Sequence, residues 1–297
     1  MKKKVHLVLG SGGARGIAHI AVIDQLEKDG YEIIEVIGCS MGAVIGGIYA
    51  AGHFQDYKNW ILKLSRKDVF DLMDFTLTKQ GFVKGDKIFA KHKDLLGTLN
   101  IEDFDIPFTA VATDMKNNEE VHFTKGDLYK ALRASGSIPG LYIPSVQDGR
   151  VLVDGGVLNP LPINLVNKQD DAIIVAVDLN AKLDKKWDLI NNSKKPEEPK
   201  WYEKILPDNV VEYARKYEDQ KEKAEEDAFS LLELMESTFS FTQDRLTSLM
   251  LELYPVDVLV EIPRNTAGTF DFNKANQIYN VGLQGYQKAM KKHKQLN

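Results

Sequence analysis

Three short stretches of this chain hold residues whose types and spacing suit acyl transfer: Gly38-Cys39-Ser40-Met41-Gly42, Gly10-Ser11-Gly12-Gly13-Ala14-Arg15-Gly16 and Asp154-Gly155-Gly156. A serine between two glycines, preceded by the apolar run Ile33 to Ile37 and followed by the helix-like run Ala43 to Tyr49, predicts a nucleophile elbow. Such a turn is too tight for side chains at 38 and 42, and its strain lifts Oγ clear of the backbone. Serine is a poor nucleophile at neutral pH. It needs a base within hydrogen-bond reach, and the oxyanion formed on attack needs donors already in place. The glycine loop predicts those donors, because small consecutive residues let the N–H groups of Gly12, Gly13 and Ala14 converge, and the helix start behind them adds a positive dipole.

The same loop fails as a nucleotide site. A dinucleotide fingerprint starting at Gly10 needs Gly or Ala at 15, and a P-loop needs Gly-Lys at 15 and 16; the chain has Arg15-Gly16. Arg15 is expected to brace the loop or to meet an anionic head group. Histidine, the usual base, is poorly placed: none of His6, His19, His53, His92, His122 and His293 follows the serine at a strand end with an acidic partner. Asp154 is the better candidate, since it follows the apolar run Val151 to Val153 and is freed by two glycines. A partly desolvated carboxylate has its pKa raised toward that of a working base. Asp114 and Asp178 also end strands and stand behind it.

The elements that must carry these residues read as α/β. Val5 to Leu9 and Ile33 to Ile37 predict strands, each leading through a glycine-bearing turn into a helix, the second closing at Gly52. In a parallel sheet both turns fall on one edge, where ligands bind in open α/β folds. From Phe54 to Lys93 helices are expected, with a loop near Thr76 to Gly85. Ile106 to Thr113 and Val121 to Thr124 predict a hairpin, Leu128 to Ser135 a helix, Ala172 to Val177 and Val256 to Ile262 strands, and Phe272 to Met290 a closing helix. The lysine- and glutamate-rich stretch from Lys182, extending to 254, reads as a charged helical insertion, and its plainest role is a solvated face.

A chain of 297 residues, 43% hydrophobic, can bury a full core, and its net charge of −5 argues against nucleic acid as a partner. One cysteine, Cys39, leaves no internal disulfide framework or multi-cysteine metal site and fits a reducing compartment. No apolar run approaches the roughly 20 residues of a spanning helix, so a cytoplasmic protein is expected.

Gly12-Gly13-Ala14-Arg15-Gly16, Gly38-Cys39-Ser40-Met41-Gly42 and Asp154-Gly155-Gly156 together resemble, in order, the three signatures of the patatin-like phospholipase family. Arg133 to Gly140 is similar to its bacterial members. The resemblance covers about Val5 to Asp178 and fits the part from Val256 loosely; it implies a three-layer α/β/α fold with a mixed, largely parallel sheet, so one catalytic domain over 1–297 is expected, with the charged insertion at 182–254 and a closing strand and helix over 255–292. It also implies hydrolysis of lipid acyl esters by a Ser-Asp dyad without cofactor or metal. Ser40 would be the nucleophile, Asp154 the base, and Gly12, Gly13 and Ala14 the oxyanion donors beside Arg15, with Gly38, Gly42, Gly155 and Gly156 shaping the turns. Ser11 departs from the family, which often has glycine there. Lipid esters sit at interfaces, so peripheral membrane contact is expected, with Phe70 to Phe82 and Leu141-Tyr142-Ile143 near the mouth. Two other readings fit the same residues: an acyltransferase using the same acyl-enzyme, and a regulatory protein that binds a partner through 182–254.

Overall fold

Alternation along the central strands lets one sheet serve two faces. The computed structural model describes residues 3–78, 81–169, 171–182 and 231–296. Along β1 (Lys3–Leu9), Val5, Leu7 and Leu9 enter the main core while Val8 points to a second one on the opposite face. This is the period of two that a strand covered on both sides requires.

The remaining strands are β2 (Tyr31–Cys39), the short pair β3 (Phe75–Thr78) and β4 (Gly81–Val83), β5 (Phe108–Asp114), β6 (Glu119–Phe123), β7 (Ser145–Gln147), β8 (Arg150–Asp154), β9 (Ala172–Ala181) and β10 (Val258–Pro263). The main sheet runs β10-β9-β1-β2-β5-β8-β7, with β6 also paired to β5. From β10 to β5 all pairings are parallel; β6, β7 and β8 join antiparallel. The described α-helices are α1 (Ile17–Lys28), α2 (Met41–Ala50), α3 (Phe54–Ile61), α4 (Arg66–Leu72), α5 (Asp86–Leu96), α6 (Leu128–Ser135), α7 (Leu231–Leu253) and α8 (Ala275–Leu296). Residues of α1, α2 and α8 fill the main core, and Leu251 of α7 packs on the second. The result is an α/β/α arrangement around a mixed sheet.

One stretch differs from expectation. Thr76 to Gly85 is not a plain loop: β3 and β4 pair antiparallel, and Asp74 then caps α5. The Asp74 carboxylate accepts from the N–H groups of Gly85 (2.6 Å), Asp86 (2.9 Å) and Lys87 (3.2 Å), where a negative charge meets the positive end of the helix. The chain divides into two compact units, 1–182 with 239–297 and 183–238. Most of the expected insertion lies outside the described residues; its last part is α7.

Candidate active site

Two strand ends and one glycine turn bring Ser40 and Asp154 together. Strand β5 lies between β2 and β8, with Cys39 opposite Val111 and Asp154 opposite Ala112, so both strands end at one level of the sheet. Ser40 follows Cys39 with φ 56° and ψ −122°, a left-handed-side backbone on a non-glycine residue, which costs about 1–3 kcal/mol and persists only where neighbours enforce it. The neighbours are visible. The Ser40 N–H donates to Ser135 Oγ (2.8 Å), which itself donates to the Val111 carbonyl (2.6 Å). A Cβ on Gly38 would lie 2.5 Å from Ala43 N, and one on Gly155 2.3 Å from the Val111 carbonyl, so both turns press against backbone.

Within this frame Ser40 Oγ donates to Asp154 Oδ2 at 2.5 Å. The other carboxylate oxygen accepts from the Gly156 N–H (2.7 Å), and Cys39 Sγ lies 3.8 Å from it. Asp154 has no solvent exposure. Burial raises its pKa to about 6, while the hydrogen bonds from Ser40, Gly156 and Cys39 pull the other way. Burial likewise pushes the Cys39 thiol well up, with the Asp154 charge second, so Cys39 is a neutral thiol.

The glycine loop follows β1 at the same edge. The Ala14 N–H donates to the Thr269 carbonyl (3.0 Å) and is committed there, whereas no such partner takes the Gly12 or Gly13 N–H among the described residues. Of the three N–H groups expected as donors, that of Ala14 is thus bonded within the protein. Arg15 braces: its guanidinium donates to the carbonyls of Arg264 (2.9 Å) and Ala267 (3.1 Å) and to Asn180 Oδ1 (3.0 Å). Ser11 is held by Pro160 O through its N–H (2.9 Å) and accepts at Oγ from Gln243 Nε2 (3.3 Å). The Gln243 amide fills the space above Gly156, where a Cβ would sit 2.2 Å from Nε2.

The two understudy carboxylates and three of the histidines are occupied elsewhere. Asp114 accepts from the Lys116 N–H (2.9 Å) and the Asn117 amide (2.8 Å), and Asp178 accepts from the Asn180 N–H (2.9 Å). His19 donates through Nε2 to the Gly10 carbonyl (3.0 Å), and burial lowers its pKa to about 4. His6 pairs with Glu35 (2.7 Å) and His122 with Glu120 (2.9 Å). No histidine bonds to Ser40 or Asp154 among the described residues. Nor is any group of three His, Cys, Asp or Glu placed there to hold an ion. Asn180 and Gln243 went unread in the sequence, and Ser135 was read only as part of the Arg133 to Gly140 resemblance, because each acts on backbone or side chains far along the chain.

A cleft of about 890 Å³, its open mouth included, runs from Ser40 and Gly13 past Val44, Trp60, Phe89 and Tyr142, and its walls are almost wholly apolar. Leu72, Met73 and Tyr142 from the stretches expected at the mouth line it, with Val83 just beyond the first, whereas Phe70 and Phe75 are exposed and pack on each other with tilted rings 5.5 Å apart. His92, 2% exposed in its wall, sits edge-on among Tyr57, Trp60 and Phe89, and neither ring nitrogen has a hydrogen-bond partner among the described residues. Desolvation holds its pKa at about 3, so the ring is neutral. Unpaired buried polar atoms cost roughly 1–3 kcal/mol each. His92→Phe should therefore raise Tm by about 2–4 °C per kcal/mol recovered. A lower Tm in thermal denaturation would show that the imidazole is better satisfied than this geometry allows.

The patatin-like phospholipase family model matches residues 7–166. An uncharacterized NTE family protein of Mycobacterium tuberculosis is 32% identical over 323 aligned residues, spanning 94% of this chain and 89% of that one. Neuropathy target esterase sws of Drosophila melanogaster is 32% identical over 188 residues, 61% of this chain but 13% of its own length. Lysophospholipase NTE1 of Yarrowia lipolytica is likewise 32% identical over 186 residues, 60% of this chain and 13% of its own. Among solved structures, VipD from Legionella pneumophila matches with a TM-score of 0.53 over 97% of this chain and 67% of that one, at 14% identity, a likeness of fold alone.

Proposed function

The chain belongs to the patatin-like phospholipase family, and on that premise we propose that it is a serine acyl hydrolase cleaving carboxylic esters of lipids through an acyl-enzyme. The observation that carries the reading is the direct bond from Ser40 Oγ to Asp154 Oδ2, with no histidine between them. Asp154 takes the Oγ proton as Oγ attacks the ester carbonyl carbon. The tetrahedral oxyanion is met by the N–H groups of Gly12 and Gly13, with the N-terminus of α2 adding its dipole. Collapse breaks the ester C–O bond, and the leaving alkoxide takes the proton back from Asp154. Water then gives a proton to Asp154 and attacks the acyl carbon. Ser40 leaves with that proton and the acid departs.

The apolar cleft suits an acyl chain, whose burial is worth about 0.8 kcal/mol per methylene. Among the described residues no helix is long and apolar enough to cross a membrane. The exposed Phe70–Phe75 pair beside the cleft-lining Leu72 and Met73 supports peripheral contact with a lipid surface.

A fluorophosphonate that reports serine nucleophiles should label Ser40 alone; labelling of a different serine overturns the assignment. Because the base must be ionised and burial raises its pKa to about 6, kcat/KM on a short acyl ester should be flat above that pH. Below it the value should fall roughly tenfold per pH unit. A limb near pH 4 would mean that the working base is an ordinary exposed carboxylate.

A further inference from the structure

One side chain holds both ends of the glycine loop. Asn180, near the end of β9 and 5% exposed, donates from Nδ2 to the Ser11 carbonyl (2.8 Å) and accepts at Oδ1 from the Arg15 guanidinium (3.0 Å). Its own N–H is fixed on Asp178 Oδ1 (2.9 Å), so the amide projects from an anchored backbone. A side-chain amide presents a donor and an acceptor together, which is what a carbonyl on one side and a guanidinium on the other require.

The Ser11 carbonyl belongs to the same planar trans peptide as the Gly12 N–H, and the two point in opposite directions. Fixing the oxygen therefore fixes the hydrogen. Gly12 on its far side would otherwise let this peptide rotate at low steric cost, and the next residue, Gly13, has φ 56°. The Ser11 N–H bond to Pro160 O (2.9 Å) fixes the preceding peptide. On the far side Arg15 carries the Asn180 contact through to the 264–267 backbone.

We propose that Asn180 is a positioning residue that aims the Gly12 N–H at the oxyanion. The inference rests on the reading of Gly12 and Gly13 as the donors, and neither Asn180 nor its contacts with Ser11 and Arg15 enters that reading otherwise. Donors aligned before the reaction stabilise the transition state more than the bound ester, so misaligning one should lower kcat and spare KM.

Two variants test it. Asn180→Asp keeps the size and the acceptor for Arg15 but sets an oxygen against the Ser11 carbonyl; Asn180→Leu removes both contacts. Each should lower kcat roughly 10- to 100-fold with KM within about twofold, and slow fluorophosphonate labelling of Ser40 by a similar factor, read per folded protein from circular dichroism. The acid limb of the pH profile should stay where Asp154 puts it, because neither change touches the carboxylate. A fall in Tm with kcat and labelling rate unchanged would show a purely structural amide and overturn the inference alone. Wild-type protein that is not labelled at Ser40 would overturn the parent reading, and this one with it.

Discussion

Asp154→Asn is expected to cut turnover by roughly three orders of magnitude or more and, in the same protein, to raise stability at pH 8. The loss follows from removing the proposed base, the one carboxylate bonded to Ser40 among the described residues, since positioned general bases contribute about 10²–10⁴-fold. The gain follows from burial. Asp154 has no solvent exposure, and its pKa is raised to about 6 from the ordinary carboxylate value. Between about pH 4 and 6 the folded protein holds a proton that the unfolded chain has released, so stability falls as pH rises through that window. Above it the ionised form carries the full penalty, on the order of 2–3 kcal/mol. Asparagine removes the charge and keeps an oxygen for the Gly156 N–H. Denaturant melts of both proteins at pH 8 and pH 4.5 check this: the variant should be the more stable at pH 8, and the gap should shrink to about a third at pH 4.5, since it closes only below the ordinary carboxylate pKa. Asp178, also raised to about 6 by burial, adds the same slope to both proteins and drops out of the difference. An asparagine variant with wild-type turnover would remove Asp154 from the mechanism.

What the sequence disclosed about the site depended on whether a constraint was local. Gly38, Gly42 and Gly155 stand where backbone presses on backbone, and such places exclude every residue with a side chain, so the pattern is written in consecutive positions. The parallel core strands are similarly plain, because burial on both faces leaves near-continuous apolar runs such as Ala172 to Val177. Ala14 shows the limit. Its N–H belongs to the loop, but the carbonyl that takes it is Thr269, from the segment after β10, and no spacing within the loop announces that. Asn180 was unreadable for the same reason, and Ser135 was flagged only by resemblance, with no sign of its contact, since each meets its loop from a distant strand or helix. The β3–β4 pair was missed because strands of four and three residues give too few alternations to separate from a loop.

Gly42→Ala tests whether the elbow and the donor loop form one rigid unit. Gly42 is the second residue of α2, where alanine is intrinsically preferred over glycine by about 1 kcal/mol; on propensity alone the change should stabilise. Packing reverses the sign. The new Cβ would lie 2.1 Å from the Leu9 carbonyl oxygen, 2.5 Å from its carbon and 2.8 Å from the Gly10 carbonyl oxygen. All three are backbone atoms of the strand end that leads into Gly12 and Gly13, so no rotamer change relieves the contact, and α2 must move away from β1. Overpacking of this kind costs about 1–3 kcal/mol or more, and the displacement carries Ser40 away from the Gly12 and Gly13 N–H groups. Expected are a Tm lower by several degrees and a fluorophosphonate labelling rate of Ser40 reduced at least tenfold in the protein that remains folded. Gly52→Ala is the control: φ there is +79° with nothing within 4 Å of the added carbon, so it should lower Tm through backbone strain and leave the labelling rate of Ser40 as it was. If Gly42→Ala lowered Tm without slowing the label, the elbow and the loop would be independent, and the close approach of α2 to β1 would serve packing alone.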